Sequence, residues 1–137
     1  METFLIFMSN NIPAIVGSIL LACLAGYIAW RNAKKVRIAN AALIYRNSID
    51  PEKFNEFKGH ILHNALAQTF PEFKKTVHEF RLYVSIIDRY RLDRAWKEYN
   101  GGDEECPDFL VMYCISDNGP LLLKQRLGKL KKIGEIT

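Results

Sequence analysis

Residues 12–30 read IPAIVGSILLACLAGYIAW, and this stretch decides the class of the protein. None of its 19 side chains is charged, and the charge-free region extends back to Thr3. An α-helix rises about 1.5 Å per residue, so the segment is roughly 28 Å long, close to the thickness of the hydrocarbon core of a bilayer. The sequence therefore predicts one transmembrane helix over residues 12–30.

The residues at the two ends of this segment predict its orientation. Pro13 falls in the first helical turn, where its missing N–H costs little, and no basic side chain precedes the segment. Aromatic and basic side chains cluster at the other end, as expected for a membrane–water interface: Tyr27, Trp30, Arg31, Lys34, Lys35 and Arg37. Because positively charged flanks stay in the cytoplasm, residues 1–11 are predicted outside it and the C-terminal domain inside it.

Three other interpretations of the apolar segment stay open. A buried core helix is rarely so long and so free of charge. A cleaved secretory signal normally begins with a basic region, which residues 1–11 lack. The run LLAC at residues 20–23 loosely resembles a lipoprotein signal with Cys23 as the acylated residue, but apolar sequence continues past Cys23 to Trp30.

Small residues recur at every fourth position of the segment: Ala14, Ser18, Ala22 and Gly26. On a helix they form one stripe that lets two backbones approach closely, as in small-xxx-small dimers. The stripe predicts a homo-oligomer packed through the transmembrane helix. Alternatively, it reflects only how common Ala and Gly are in membrane helices.

The rest of the chain is predicted to be mostly α-helical. Residues 31–49 lack Gly and Pro and continue the helix as a basic juxtamembrane segment. Its apolar face consists of Ile38, Ala42, Tyr45 and Ile49. A small cytoplasmic domain follows over residues 50–137. Asp50 is a natural N-cap and Pro51 suits a first helical position, so a second helix is expected there, broken or ended near Gly59.

Two further helices are predicted to form a hairpin. A boundary at Phe70–Pro71 precedes an apolar 3.6-residue period. The second helix covers residues 86–99, with Ile87 and Tyr90 among its apolar positions and the sequence NGG at 100–102 as its stop. The predicted core residues of the hairpin are Phe73, Val77, Phe80, Ala95, Trp96 and Tyr99.

The charge of the chain changes towards its C-terminal end. Residues 101–120 carry five acidic and no basic side chains and are predicted as a loop, interrupted by a short helix or strand over 109–115. The tail from Leu121 to Thr137 alternates apolar and basic residues at helical spacing: Leu123, Leu127, Leu130 and Ile133 with Lys124, Lys129, Lys131 and Lys132. Such an amphipathic helix packs either on the domain or on a membrane surface.

A weak metal-binding pattern lies early in the domain. Glu56, His60 and His63 have spacings of four and three, which bring side chains onto one helical face. Two imidazoles and a carboxylate can hold a divalent metal, although the spacing is not HExxH and Gly59 interrupts the helix. The sequence predicts no cofactor and shows no catalytic signature. Pairing of Cys106 with Cys114 stays open.

Charged residues of both signs alternate over residues 81–94. The arginines at 81, 89, 91 and 94 lie close in sequence to Asp88 and Asp93. Because the charge of the surrounding region is nearly balanced, this pattern predicts a solvated, salt-bridged helix surface. No nucleic-acid partner is expected, and His78 is predicted as an ordinary surface or half-buried histidine.

One set of residues carries a resemblance to known sequences. Phe80-Arg81, the run LDRAWKEY at 92–99 and the run CPDF at 106–109 resemble a group of uncharacterised small bacterial proteins, some of them membrane-anchored, with the pattern FR…LDRAWxEY…PDF. The resemblance covers roughly residues 43 to 135 and implies a location in the bacterial inner membrane. It implies no activity, substrate or catalytic residue.

Three functions follow as expectations from these patterns. The first is a membrane-tethered helical interaction module, whose partners are the lipid bilayer and a protein or a second copy of the chain. The second is a metal-binding protein or an enzyme using Glu56, His60 and His63. The third is a membrane-active small protein that acts through the transmembrane helix and the basic tail.

Overall fold

The described part of the chain consists of helices joined by short connections. The computed structural model describes residues 2–136, with side chains from residue 12 onward, so the side chains of the predicted extracytoplasmic segment 1–11 lie outside the described residues. The elements are α1 (Glu2–Ser48), a 3₁₀ helix (Pro51–Phe54), α2 (Gly59–Arg81), α3 (Ile86–Asn100), a π-helix (Leu110–Cys114) and α4 (Gly119–Ile136). No strand occurs over residues 2–136, which confirms a mostly α fold with one long apolar N-terminal helix.

The chain divides into two compact units, Met1–Arg37 and Ile38–Thr137. The sequence prediction began the soluble domain at residue 50. In the structure the second unit takes in the last part of α1, because Ala42, Tyr45 and Ile49 are buried in its core. The apolar face predicted for the juxtamembrane segment is the face that packs.

Aromatic rings form most of the core of the second unit. Phe70 lies parallel to Trp96 with ring centroids 5.5 Å apart and meets Phe109 edge-on at 5.3 Å. Tyr45 of α1 stacks on Phe80 of α2 at 4.2 Å. Aromatic pairs of this kind bury large areas and add about 0.5–1.5 kcal/mol each beyond area burial. All six side chains predicted for the hairpin core are buried: Phe73, Val77, Phe80, Ala95, Trp96 and Tyr99.

Of the two helix breaks predicted over residues 50–81, one is present and one is not. The helix predicted to start at Pro51 is present as the short 3₁₀ helix capped by Asp50, and it ends before Gly59 as expected. Gly59 then begins α2, because its φ of 54° follows an extended Lys58 and turns the chain into the first helical turn. The predicted boundary at Phe70–Pro71 is wrong, since α2 passes through Pro71. Proline here removes the bond to the carbonyl of Ala67, but Phe70 and its neighbours in the core hold the helix together on either side.

The bounds of α3 agree with the prediction, but its apolar face differs. Ser85 caps the helix through its Oγ, which accepts from the Asp88 N–H, and Gly101 ends it with φ of 71°. The buried stripe is Leu92, Ala95, Trp96 and Tyr99. Ile87 and Tyr90, predicted as apolar positions of the hairpin, point away from the core.

The apolar run after the acidic loop and the C-terminal helix both pack on the second unit. Residues Leu110–Cys114 form one π-turn, in which the Ile115 N–H donates to the Leu110 carbonyl at 3.1 Å. Tyr113 on this turn donates its hydroxyl hydrogen to the Tyr99 carbonyl at 2.6 Å. The apolar stripe of α4 is buried in the domain: Leu123, Leu127, Leu130 and Ile133. Of the two alternatives for this amphipathic tail, packing on the domain is the one observed.

Candidate functional site

The apolar stretch of α1 is the largest unpartnered surface of the first unit. Within the described residues, one helix is long and apolar enough to cross a membrane, and its most apolar window has a mean hydropathy of 2.2 with none of it buried. Leucine and isoleucine side chains on every side of the helix are exposed between Ile12 and Trp30. A helix that is apolar all round requires either a protein core or lipid around it.

The C-terminal end of this stretch has the chemistry of a membrane–water interface. The rings of Tyr27 and Trp30 lie 6.1 Å apart, and the Lys34 Nζ lies 5.5 Å from the centroid of the Trp30 ring. Amphipathic rings followed by cations are the residues that bilayer interfaces favour. Arg31, Lys35 and Arg37 are also exposed and complete the predicted interface group.

The small-residue stripe lies on an open side of the same helix. Ala14, Ser18, Ala22 and Gly26 are exposed, and a Cβ atom placed on Gly26 would meet no atom within 4 Å. The Ser18 hydroxyl donates to the Ile15 carbonyl at 2.8 Å, so it is satisfied inside its own helix. A second helix could therefore approach the backbone along this stripe without leaving that hydroxyl unpaired.

A second apolar surface lies on the folded unit, where α2 turns into α3. Leu82, Ile86, Ile87 and Tyr90 are 75%, 83%, 68% and 71% exposed, and together they are called the turn face below. Fully burying a leucine or isoleucine side chain is worth about 1.5–3 kcal/mol. A cluster of such side chains over nine consecutive residues marks an interaction surface better than scattered exposed residues would.

The turn face is held in place by ordered backbone structure. The Leu82 N–H donates to the Glu79 carbonyl at 3.2 Å, and the Tyr83 N–H donates to the Phe80 carbonyl at 2.9 Å. Val84, the next residue, is buried and anchors the turn in the core. The exposed side chains are therefore presented on a rigid support, which lowers the entropic cost of binding through them.

Arginines surround the turn face, and two of them are paired within the unit. Arg81 donates from Nε and Nη2 to the two carboxylate oxygens of Asp93 at 2.7 and 2.9 Å, and this contact raises the pKa of Arg81. Arg91 lies 3.4 Å from Asp88. Arg89 is half-buried, and its Nε has no hydrogen-bond partner among the described residues. The salt-bridged surface predicted from the sequence is thus present, but it borders an apolar patch.

A groove of about 300 Å³ runs between α3 and α4. Its floor is apolar and consists of Ala95, Ile133 and Ile136. Its rim is charged and contains Arg91, Arg94, Glu98, Lys129 and Lys132. Lys129 donates to Glu98 at 2.7 Å and, together with Arg94, lowers the pKa of that carboxyl.

The acidic loop is tied to α2 and α3 through Glu104. The Trp96 Nε1–H donates to Glu104 Oε1 at 3.1 Å, and His78 Nε2 lies 3.6 Å from Glu104 Oε2. The Lys74 ammonium donates to the Glu104 carbonyl at 3.0 Å. Sequence reasoning missed this network, since no local spacing links residue 104 to residues 74, 78 and 96. These contacts of Glu104 hold the acidic loop against α2 and α3.

The predicted metal ligands do not form a site in this structure. Glu56 lies in the turn before α2, while His60 and His63 lie in its first turn. Across the part of the chain that is described, no three His, Cys, Asp or Glu side chains are grouped so that they could hold a metal ion. Cys106 and Cys114 are both free thiols, and partial burial raises the pKa of Cys114.

The motif LDRAWKEY at 92–99 has structural roles here. Leu92, Ala95, Trp96 and Tyr99 are its buried positions, whereas Asp93 pairs with Arg81. Comparison of the chain with protein-family models, with curated proteins and with solved structures gives no match.

Proposed function

We propose that this chain is a membrane-tethered helical interaction module in the bacterial inner membrane. Residues 12–30 cross the bilayer once, residues 1–11 lie on its outer side, and residues 38–137 lie in the cytoplasm. The single observation that carries the proposal is the charge-free helix between Ile12 and Trp30, with none of its side chains buried. The cations from Arg31 to Arg37 support the orientation.

The second unit supports a role in tethering because it has its own core. Its buried apolar side chains extend from Ala42 to Ile133, and none belongs to the apolar stretch 12–30. The core of the domain therefore does not depend on burying this stretch. Lipid is the first partner of this chain.

The proposed interaction role is supported by two surfaces outside the core, one on the folded unit and one on the transmembrane helix. The groove between α3 and α4 is lined by apolar side chains next to charged ones. The small-residue stripe offers a second copy of the transmembrane helix a close approach. The partners we propose are a cytoplasmic protein and a second copy of the chain.

The alternative of a membrane-active protein working through its tail is less well supported. An interfacial helix binds lipid by inserting its apolar face. In α4 that face is occupied by the domain core, with Leu127 and Leu130 fully buried. The basic side chains of the tail are partly engaged as well, since Lys129 pairs with Glu98 and Lys131 with Asp50.

Carbonate extraction of membranes tests the tether. The wild-type chain should stay in the membrane pellet. The double variant Leu20→Arg/Leu24→Arg should become soluble, because each arginine at the centre of a span costs about 2.5–3.5 kcal/mol on insertion scales. The matched control Leu43→Arg/Ile44→Arg adds the same charge at two exposed positions outside the span and should stay in the pellet. Release of the wild-type chain by carbonate would refute the tether.

Crosslinking in intact cells tests the interaction role. A photoreactive residue at Ala22 should yield a dimer band, and Gly26→Leu should abolish it because the larger side chain separates the two backbones. A photoreactive residue at Ile136 or Arg94, both of which line the groove, should yield an adduct with a cytoplasmic protein, identified by mass spectrometry. If neither position gives an adduct, the interaction role fails while the tether stands.

A further inference from the structure

The turn face has a defined place within the second unit. Lys131 of α4 lies 3.2 Å from Asp50, just beyond the end of α1, and Tyr45 donates its hydroxyl hydrogen to the Leu130 carbonyl. Further along α4, Gly134 lies against the Tyr45 ring. As residue numbers rise in α4 they fall in α1, so the two segments are antiparallel. The C-terminal end of α4 therefore lies towards Ile38, where the chain enters the unit.

The start of α3 lies at that same end of the unit. Glu98 near the end of α3 bonds Lys129 at 2.7 Å, whereas Arg91 shares the groove with Ile136 at the end of α4. α3 and α4 are therefore antiparallel too. Hence the beginning of α3, together with the turn face, lies at the end of the unit where the chain enters at Ile38.

The chain itself limits how far this end can lie from lipid. Trp30 and Ile38 are eight residues apart, and even a fully extended chain of that length spans at most about 29 Å. If residues 12–30 cross the bilayer, the entry end of the domain stays within that distance of the span. The turn face lies at this same entry end of the domain.

The charge and chemistry of the face favour an anionic lipid surface. Apolar side chains with an amphipathic tyrosine suit the boundary between headgroups and acyl chains. Arg89 and Arg91 flank them. Of the two acidic residues in the same helical turns, Asp88 lies 3.4 Å from Arg91, and Asp93 pairs with Arg81. Basic residues beside a membrane attract anionic headgroups, and the cluster Arg31–Arg37 would draw the same lipids to this region.

We propose that the turn face docks onto the anionic inner surface of the bilayer, with Leu82, Ile86 and Ile87 inserted among the headgroups and Arg89 and Arg91 bound to lipid phosphates. The inference rests on the proposed tether, since it requires residues 12–30 to be in the bilayer. Docking would hold the domain in one orientation and leave its remaining surface to the cytoplasm. A protein partner seated on the turn face would be a different result and is one outcome of the test below.

The test uses the full chain reconstituted in lipid vesicles. All native cysteines are replaced by alanine, a single Ile87→Cys is labelled with a fluorophore, and headgroup-nitroxide lipids act as quenchers. Ile61→Cys is the matched control, because Ile61 is 65% exposed and lies twenty residues before Arg81, about 30 Å away along α2. In vesicles of phosphatidylglycerol and phosphatidylcholine, the label at 87 should be quenched and the label at 61 should not.

Charge reversal identifies the lipid chemistry. Arg89→Glu/Arg91→Glu in the Ile87→Cys background should lower the docking equilibrium constant by at least about 25-fold, because each basic residue lost near an anionic surface removes a factor of about five and the new carboxylates are repelled in addition. Pure phosphatidylcholine vesicles should reduce quenching in the same direction. Far-ultraviolet circular dichroism of each variant checks that the helices remain folded.

The remaining outcomes overturn the inference. Equal quenching at 87 and 61, or quenching that ignores both lipid charge and charge reversal, removes the anionic bilayer as the occupant of the face. A signal at 87 that changes with the protein-to-lipid ratio shows that a second copy covers it. Carbonate treatment of the same vesicles separates this failure from that of the tether, since a retained but unquenched chain loses only the docking.

Discussion

Replacing Tyr45 with alanine should be among the most damaging single changes in the folded unit. Its ring is fully buried, stacks on Phe80 at 4.2 Å, and its hydroxyl donates to the Leu130 carbonyl at 2.9 Å. Truncating a buried aromatic side chain to alanine costs about 3–5 kcal/mol. Tyr45→Phe keeps the stacked ring and loses one hydrogen bond, so it should cost about 0.5–1.5 kcal/mol.

Urea denaturation of the full chain in mild detergent measures these differences. Near-ultraviolet circular dichroism follows the aromatic core, and the midpoint together with the slope gives the change in the free energy of unfolding. Ile44→Ala is the matched control, because its side chain is next in the helix but exposed and should change stability by no more than about 0.5 kcal/mol. If Tyr45→Ala and Ile44→Ala had equal effects, the end of α1 would not belong to the folded unit.

Three further predictions concern buried groups of the same core. Tyr99→Phe should leave the free energy of unfolding unchanged or raise it, because the buried Tyr99 hydroxyl has no hydrogen-bond partner among the described residues; urea denaturation measures the difference from Tyr45→Phe. Burial raises the pKa of Tyr45 and Tyr99, so these two groups ionise in the unfolded chain before they ionise in the folded one. The free energy of unfolding should therefore be unaffected below about pH 10 and should fall above it by about 1.4 kcal/mol per pH unit for each group. Urea denaturation between pH 8 and 11 measures this fall. Gly134→Ala should destabilise the unit by about 1–3 kcal/mol, because its Cβ would lie 2.7 Å from Tyr45 Cδ1, whereas Gly128→Ala meets no atom within 4 Å and should stabilise α4 by up to about 1 kcal/mol in the same assay.

Local signals in the sequence were sufficient where one physical rule dominates. The stop at Gly101 requires positive φ, and the start at Ser85 follows a side-chain cap, so the bounds of α3 could be predicted. The leucine stripe of α4 was predicted from its period, but the choice between domain and membrane was not. The α4 leucines pack on the domain because Tyr45 and its neighbours form an apolar surface that they cover. This surface is formed by residues far apart in the sequence, so no local pattern predicts it.

Two predictions from local sequence were wrong because tertiary packing outweighed the local signal. Pro71 is a strong local signal for a helix end, yet Phe70 and Phe73 on either side are both buried and outweigh the lost backbone bond. Ile87 and Tyr90 match a helical period, but the core accepts the stripe of Leu92 and Trp96 instead. The exposed turn face is therefore a feature that the sequence could not reveal without the packing.

Maleimide labelling of Cys106 reports on which side of the membrane the folded unit lies. This thiol is exposed on the folded unit, and replacing Cys23 and Cys114 with alanine leaves it as the single target for a membrane-impermeant maleimide. Intact bacterial spheroplasts expressing this variant should show no labelling, and the same cells should show full labelling after lysis. Labelling at Cys106 in intact spheroplasts would place the folded unit on the outer side of the membrane and contradict the proposed orientation.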